Sequence, residues 1–160
     1  MDPAASITVL GAFPSGLYVI TVTYGGEEHG MTANWVMPAA FTPPMVAVSL
    51  ENTSKTLQLV RDARHFGVSV LQSGQRDLAA KLGRPSDEAP QKLKGIKLKR
   101  AAVAATPVLA DALGWVECRL VATLPAGDHT IALGEVVDAG VEQAGARALT
   151  LQETGLNYQR

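Results

Sequence analysis

Along several short segments, apolar side chains alternate between two faces, and this pattern limits the possible fold more than any other feature of the sequence. In residues 16–24, Tyr18, Ile20 and Val22 share one face, which is the two-residue period of a β-strand. Gly25-Gly26 then predicts a turn into the next strand. Together with less regular apolar runs, the pattern predicts strands at residues 16–24, 29–36, 45–50, 66–71, 114–124, 130–141 and 147–151. Since most of these are linked as hairpins, we expect antiparallel pairing.

Two predicted helices interrupt the strands. Residues 52–54 offer N-cap oxygens ahead of an apolar stripe at Leu57, Val60 and Ala63, and residues 75–82 form a second short helical pattern. Helices and strands do not alternate regularly, which disfavours a doubly wound parallel sheet. The sequence predicts a mainly β fold, an antiparallel barrel with peripheral helices.

Composition limits the class of protein. The 160 residues suit one domain spanning 1–160, and 47% hydrophobic against 18% charged residues excludes a disordered chain. The apolar surplus suggests that some surface is buried between subunits. A net charge of −1 gives no electrostatic reason to expect a nucleic-acid or membrane partner.

Few residues suggest a disulfide, a metal site or export. Cys118 is the single cysteine, and its strand position predicts a small core residue. His29, His65 and His129 are too dispersed to indicate a metal site by spacing. The first residues lack a secretory pattern, and no apolar run approaches the ~20 residues that span a bilayer. We therefore expect a cytoplasmic protein without a metal.

The segment 84–100 is basic and rich in turn signals. Its basic side chains are Lys92, Lys94, Lys97, Lys99 and Arg100. A solvated surface excursion is the favoured interpretation. The alternative is a flap that borders a ligand or partner site.

The residues Ser54, Lys55 and Thr56 stand at the opening of the first predicted helix. The first N–H groups of a helix lack internal acceptors, and the helix dipole adds positive charge there. With two hydroxyls and an ammonium, this helix start can hold a phosphate. Simple helix capping with a solvent-facing lysine is the alternative.

The strand segment Thr32–Trp35 carries little that suits a core. Its hydroxyl, amide and accessible backbone groups could hydrogen-bond a flat ring such as a flavin, whose reduced form gains from nearby N–H donors. An edge strand with ordinary polar side chains is the alternative. The dinucleotide fingerprint GxGxxG and the Walker loop are both missing from the sequence.

Six segments together resemble one known family. They are FPSGLYVITV (13–22), GMTANW (30–35), PPMVAVSLENTSKT (43–56), FGVSVL (66–71), LAAKLG (78–83) and GDHTIALGEV (127–136). In this order they resemble the flavin reductase-like family of FMN-binding split barrels. The resemblance implies a six-stranded antiparallel split β-barrel with Greek-key topology and peripheral helices, normally a homodimer.

The resemblance also implies where a flavin would sit. The implied contacts are Thr32, Ala33, Asn34 and Trp35 along the isoalloxazine ring, Ser49, Leu50 and Glu51 beside the ribityl chain, Ser54, Lys55 and Thr56 at the phosphate, and Ser15 and Gly16 at a turn near the ring. His129 matches a histidine near the nicotinamide, which makes it the candidate catalytic residue. Trp35 stands where many relatives have a small residue, so it could stack on the flavin or crowd it.

The implied activity is NAD(P)H-dependent flavin reduction, with hydride passing to flavin N5. FMN is the expected cofactor, FAD and riboflavin are alternatives, and NAD(P)H is the co-substrate. Reduced flavin or electrons would go to a partner oxygenase or redox protein. The tail beginning at Thr150 resembles a subset that includes electron-transfer domains, so an FMN module without NAD(P)H oxidation is the main alternative. A haem-binding split barrel is a third.

Overall fold

A computed structural model describes residues 1–158, and these residues are mainly antiparallel β-structure. The strands are β1 (Tyr18–Tyr24), β2 (Glu27–Ala33), β3 (Val36–Phe41), β4 (Pro44–Glu51), β5 (His65–Val70), β6 (Leu98–Arg100), β7 (Pro107–Leu109), β8 (Gly114–Ala126) and β9 (His129–Val141). The helices are α1 (Pro3–Gly11), α2 (Lys55–Ala63), α3 (Arg76–Leu82) and α4 (Leu151–Thr154). The predicted mainly β, antiparallel class is confirmed.

The main sheet has seven strands in the order β2-β1-β5-β8-β9-β4-β3, and it is rolled. Its two edge strands, β2 and β3, are joined only by Asn34 and Trp35. Three Cα steps reach at most about 11 Å. The edges of a flat sheet with this many strands would lie about 29 Å apart. The sheet must therefore curl until its edges approach, although within residues 1–158 no β2–β3 ladder closes it.

The resemblance implied six strands, whereas the main sheet has seven, and the sequence pattern did not predict β3. Pro38 lies inside β3 and lacks a backbone N–H, which argues against a central strand. An edge strand tolerates the missing donor, and the pairing register shifts between Pro38 and Ala40. The predicted strand at 29–36 instead ends at Ala33 and resumes at Val36 as a strand on the opposite edge.

Both ends of the chain also differ from the expectation. The strand predicted at 147–151 is wrong, because Thr150 caps α4 by accepting a hydrogen bond from the Glu153 N–H at 3.1 Å. Only isolated bridges form there. Helix α1 was not predicted, although Asp2 at its N-cap and Pro3 in its first turn are recognised start signals. No helix within residues 1–158 is long and apolar enough to cross a bilayer.

Strand β1 separates two hydrophobic clusters, as its alternation predicts. Ile20 and Val22 pack with α2 and the interior of the rolled sheet. Val19 points the other way, into a cluster that includes residues of α3. Cys118 is fully buried in the interior cluster, and burial, together with the charge of Glu117, raises the pKa of its thiol to about 12. The prediction that Cys118 is a core residue is confirmed.

Candidate functional site

A cavity of about 790 Å³ opens where the approaching edges of the sheet meet α2, α3 and the C-terminal tail. The segment joining β2 to β3 and the end of β4 form one wall. The start of α2, the residues following α3 and the tail residues Leu156 to Tyr158 form the rest. This volume lies within the range of small-molecule sites, roughly 300 to 1,000 Å³.

Most of the residues expected to contact a flavin line this one cavity. They are Thr32, Ala33, Asn34, Trp35, Ser49, Leu50, Glu51, Ser54, Lys55 and Thr56. Three separate segments of the sequence thus meet at one place. The meeting point is set by the two-residue link between the sheet edges and by β4 leading directly into α2.

Ser15 and Gly16, the turn expected near the ring, are not among the residues that line the cavity. Gly16 forms a bridge with Thr150, and the Leu151 N–H donates to the Ser15 carbonyl at 2.9 Å. The tail therefore covers this turn. A Cβ on Gly16 would lie 2.7 Å from the Tyr18 hydroxyl, so close packing accounts for the glycine. The buried Ser15 Oγ has no hydrogen-bond partner among the described residues.

The start of α2 combines capping with exposure to the cavity. Ser54 is the N-cap, and its Oγ accepts a hydrogen bond from the Leu57 N–H at 3.1 Å. The capping interpretation is therefore correct for this side chain. It does not use the N–H groups of Lys55 and Thr56, which belong to the first turn and have no intrahelical acceptors. The Lys55 ammonium forms an ion pair with Glu27 on β2.

The Thr56 hydroxyl contacts a buried histidine, His29. Thr56 Oγ1 lies 2.8 Å from His29 Nε2 and 3.4 Å from the Met31 sulfur. Burial, with the positive charges of Lys92 and Lys55, lowers the pKa of His29 to about 4. His29 is therefore neutral near pH 7. The sequence offered no signal for this contact, because the partners are 27 positions apart.

The basic segment divides into a part at the cavity and a part in solvent. Its cavity-lining residues are Arg84, Pro85, Ser86, Asp87 and Lys92. Here the flap interpretation fits, although it was the less favoured one. The basic side chains Lys94, Lys97, Lys99 and Arg100 are exposed, as the surface interpretation predicts.

At the other end of the cavity, Trp35 lies against His129 and Tyr158. The ring centroids of Trp35 and His129 are 4.8 Å apart, and Tyr158 meets Trp35 edge-on at 5.3 Å. His129 Nδ1 lies 2.7 Å from Asp128 Oδ1, and its Nε2 lies 3.3 Å from the Tyr158 hydroxyl. That hydroxyl donates to Glu51 Oε1 at 2.9 Å. Trp35 and Tyr158 line the cavity, whereas the buried His129 stands behind them.

No cluster of three or more histidine, cysteine, aspartate or glutamate side chains suited to a metal ion occurs in residues 1–158. The polar groups of the cavity are hydroxyls, amides, the first N–H groups of a helix, the cationic groups of Lys55, Arg84 and Lys92, and the carboxylates of Glu51 and Asp87. Such a set suits an organic ligand that carries an anion at one end.

The sequence matches a known family along nearly its whole length. Residues 10–159 match the family model described as a flavin reductase like domain. The chain is 32% identical over 143 residues to "Flavin reductase (NADH)" of Kitasatospora aureofaciens, covering 88% of this chain and 73% of that protein. It is 36% identical over 136 residues to the "4-hydroxyphenylacetate 3-monooxygenase, reductase component" of Thermus thermophilus, covering 83% of each.

A solved structure shows the same similarity in three dimensions. The NADH:FAD oxidoreductase SgcE6 of Streptomyces globisporus C-1027, solved in complex with NAD and FAD fragments, superposes with a TM-score of 0.85. Its sequence is 27% identical, and the match covers 100% of this chain and 94% of that one.

Proposed function

This chain belongs to the flavin reductase-like family, and on that basis we propose that it is an NAD(P)H-dependent flavin reductase with FMN as its cofactor. One observation carries the proposal beyond family membership. A single cavity of about 790 Å³ joins the start of α2 to the Thr32–Trp35 segment, so it offers an anion-binding end and an aromatic end to the same ligand. We take the rolled sheet as a variant of the family's split barrel, in one domain spanning residues 1–160.

The residues present fit the three parts of FMN. The N–H groups of Lys55 and Thr56, with their side chains, suit the phosphate. The end of β4 at Ser49, Leu50 and Glu51 lines the same cavity and suits the ribityl chain. Riboflavin has no phosphate and would leave these phosphate-binding groups of the protein unused, which is why FMN or FAD is favoured.

At the end of the cavity that would hold the flavin ring, we expect hydrogen bonds from backbone groups more than from side chains. The Thr32 hydroxyl donates to the Ala79 carbonyl at 2.6 Å, so its proton is already used. β2 is an edge strand, paired only with β1, so some of its backbone N–H and C=O groups face away from the sheet. We propose that these groups and Asn34 bind the polar edge of the ring. When bound, the flavin supplies the redox chemistry and accepts hydride from the nicotinamide.

His129 remains our candidate for contact with the nicotinamide. Asp128 holds its Nδ1, which leaves Nε2 directed at Tyr158. In this structure the Tyr158 hydroxyl occupies that nitrogen's hydrogen-bonding position. His129 would therefore position Tyr158 and Trp35 at the cavity mouth, and it would contact a nicotinamide after Tyr158 has moved aside.

An apolar outer face supports the expected homodimer. Val48 points into the core, so its strand neighbours Met37 and Ala47 point outward. Along the pairing ladders, Leu133 and Ala122 continue the same outward row. Nearby, 61% of Leu124 is exposed. Exposed apolar area of this kind marks association surfaces. We propose that a second copy of this chain covers it.

We propose that reduced flavin is handed to a partner oxygenase, because the relative from Thermus thermophilus is named as the reductase component of a monooxygenase. Within this proposal the reaction is cytoplasmic. The alternative, an FMN electron-transfer module that does not oxidise NAD(P)H, rests on the similarity of the tail to that subset.

The test is an absorbance spectrum of the purified protein loaded with FMN, recorded without oxygen before and after NADH or NADPH is added. A yellow protein that bleaches with either nucleotide supports the reductase. Bound flavin that stays oxidised with both favours the electron-transfer module. A Soret band in the spectrum of the purified protein, recorded before FMN is added, would contradict both.

A further inference from the structure

Lys92 is a buried ammonium in a segment that is otherwise largely exposed. Only 6% of the residue is accessible, whereas Lys94 two positions later is exposed. Its Nζ donates to the carbonyls of Leu82 at 3.0 Å and Arg84 at 2.9 Å, at the C-terminal end of α3. These bonds use two of the three N–H donors, and no further acceptor is found among residues 1–158.

Lys92 belongs to the same cavity as the start of α2. Lys92 lines that cavity together with Lys55 and Thr56. The charges of both lysines act on His29, whose Nε2 is 2.8 Å from Thr56 Oγ1. The neutral imidazole adds no charge of its own.

A buried ammonium normally has an anionic partner, and Lys92 lacks one in the protein. None of the ion pairs in the described part of the chain includes it. Burial accordingly lowers its pKa. Two carboxylates also line the cavity, and neither forms an ion pair with Lys92. Glu51 accepts from Tyr158 at the aromatic end, and Asp87 is exposed and accepts from the Glu88 N–H.

We propose that Lys92 binds the terminal phosphate of the flavin, closing the anion end of the cavity opposite the start of α2. The third N–H of Lys92 would donate to a phosphate oxygen, while the carbonyls of Leu82 and Arg84 keep the ammonium in place. This inference rests on the proposed function and assigns to it a residue outside the Ser54–Thr56 segment. Its consequence is selectivity for phosphorylated flavin over riboflavin.

The experiment compares the two flavins in three proteins. Lys92→Met removes the charge but keeps the length of the side chain, and Lys94→Met removes an exposed charge from the same segment as the matched control. Dissociation constants for FMN and riboflavin are measured by flavin fluorescence at one ionic strength. Loss of one charge-assisted hydrogen bond predicts about tenfold or greater weakening of FMN binding in Lys92→Met. We expect riboflavin binding to be unchanged, and Lys94→Met to match the wild type.

The comparison separates a phosphate contact from a structural role. An equal loss of affinity for both flavins in Lys92→Met, or no loss for either, overturns the assignment. A wild-type protein that binds riboflavin as tightly as FMN overturns it but leaves the proposed activity standing. A wild-type protein that binds neither flavin overturns the proposed function as well.

A second measurement needs no variant, in case Lys92→Met does not fold. Excess inorganic phosphate, matched in ionic strength by chloride, should raise the dissociation constant of FMN for the wild-type protein and leave that of riboflavin unchanged. Lys92→Arg retains the charge and should keep most of the preference for FMN. Absence of phosphate competition, or an Arg variant without that preference, contradicts the proposal.

Discussion

His29 Nε2 lies 2.8 Å from Thr56 Oγ1, and this contact ties β2 to the first turn of α2. A neutral imidazole carries one ring proton. With that proton on Nε2, His29 donates to Thr56, and the threonine hydroxyl donates to the Met31 sulfur at 3.4 Å, a weak acceptor that a ligand oxygen can replace. The opposite tautomer would use the hydroxyl proton internally. The contact therefore decides whether Thr56 can donate to a phosphate.

The low pKa of His29 predicts a specific dependence of stability on pH. Its folded-state pKa, about 4, lies below the ordinary value of 6.5. The contribution of neutral His29 to the free energy of unfolding is present above about pH 6.5. It is lost as the pH falls toward 4, because the unfolded chain binds a proton at this histidine before the folded protein does. Between pH 7 and pH 5 this histidine should lower the free energy of unfolding by about 2 kcal/mol.

Urea denaturation of wild type and His29→Gln at both pH values checks this prediction. The variant should lose less stability on acidification than the wild type does. His65→Gln, at a partly exposed position on β5, is the control and should follow the wild type. If the free energy of unfolding of His29→Gln falls between pH 7 and pH 5 by as much as that of the wild type, the assignment is contradicted.

Ser54 and Lys55 should differ in what their substitution affects. Ser54→Ala removes the N-cap bond to Leu57 and should cost about 1 kcal/mol of stability. Lys55→Ala breaks only a partly exposed ion pair with Glu27 and should leave stability nearly unchanged. Lys55→Ala should still weaken FMN binding by about 1.5 kcal/mol. Thermal unfolding and FMN titration of both variants measure the two effects, and unchanged FMN affinity in Lys55→Ala would remove Lys55 from the phosphate site.

His129→Ala should raise the KM for NAD(P)H and leave the affinity for FMN unchanged. The imidazole is separated from the cavity by Trp35 and Tyr158, so its loss should affect the mouth more than the flavin position. Steady-state kinetics and FMN titration are the measurements, with His65→Ala as the control. A fall in FMN affinity would instead show that His129 supports the flavin itself.

The apolar outer face should control oligomeric state. Met37→Asp combined with Leu124→Asp places two charges on it, which should convert a dimer to a monomer because buried unpaired charges are costly. Val103→Asp alters an exposed apolar residue, 56% accessible and outside this face, and should leave the dimer intact. Size-exclusion chromatography with light scattering measures the masses. A doubly substituted protein that stays dimeric would place the interface elsewhere.

Local patterns predicted the parts of the fold that depend on neighbouring residues. The two faces of β1 and the buried position of Cys118 follow from the two-residue period of a strand. The Ser54 cap of α2 follows from a few adjacent residues at the start of the helix. β3 is not predicted because Pro38 lacks a backbone N–H, which argues against a central strand. The sequence does not show that this strand lies at the edge of the sheet, where the missing donor is tolerated. A short apolar run predicts a strand that includes Thr150, but in the structure its hydroxyl caps α4 by accepting from the Glu153 N–H.

By itself, the sequence determined the family, the antiparallel class and the cavity-lining residues of segments 32–35, 49–51 and 54–56, because those signals lie within continuous stretches of the chain. Only the tertiary structure showed that His29 supports Thr56, that Lys92 is buried at the same cavity and that Tyr158 stands before His129. The physical reason is the rolled sheet and its tail, which bring together polar groups far apart in the chain. Burial then changes their protonation, as the pKa of His29 shows.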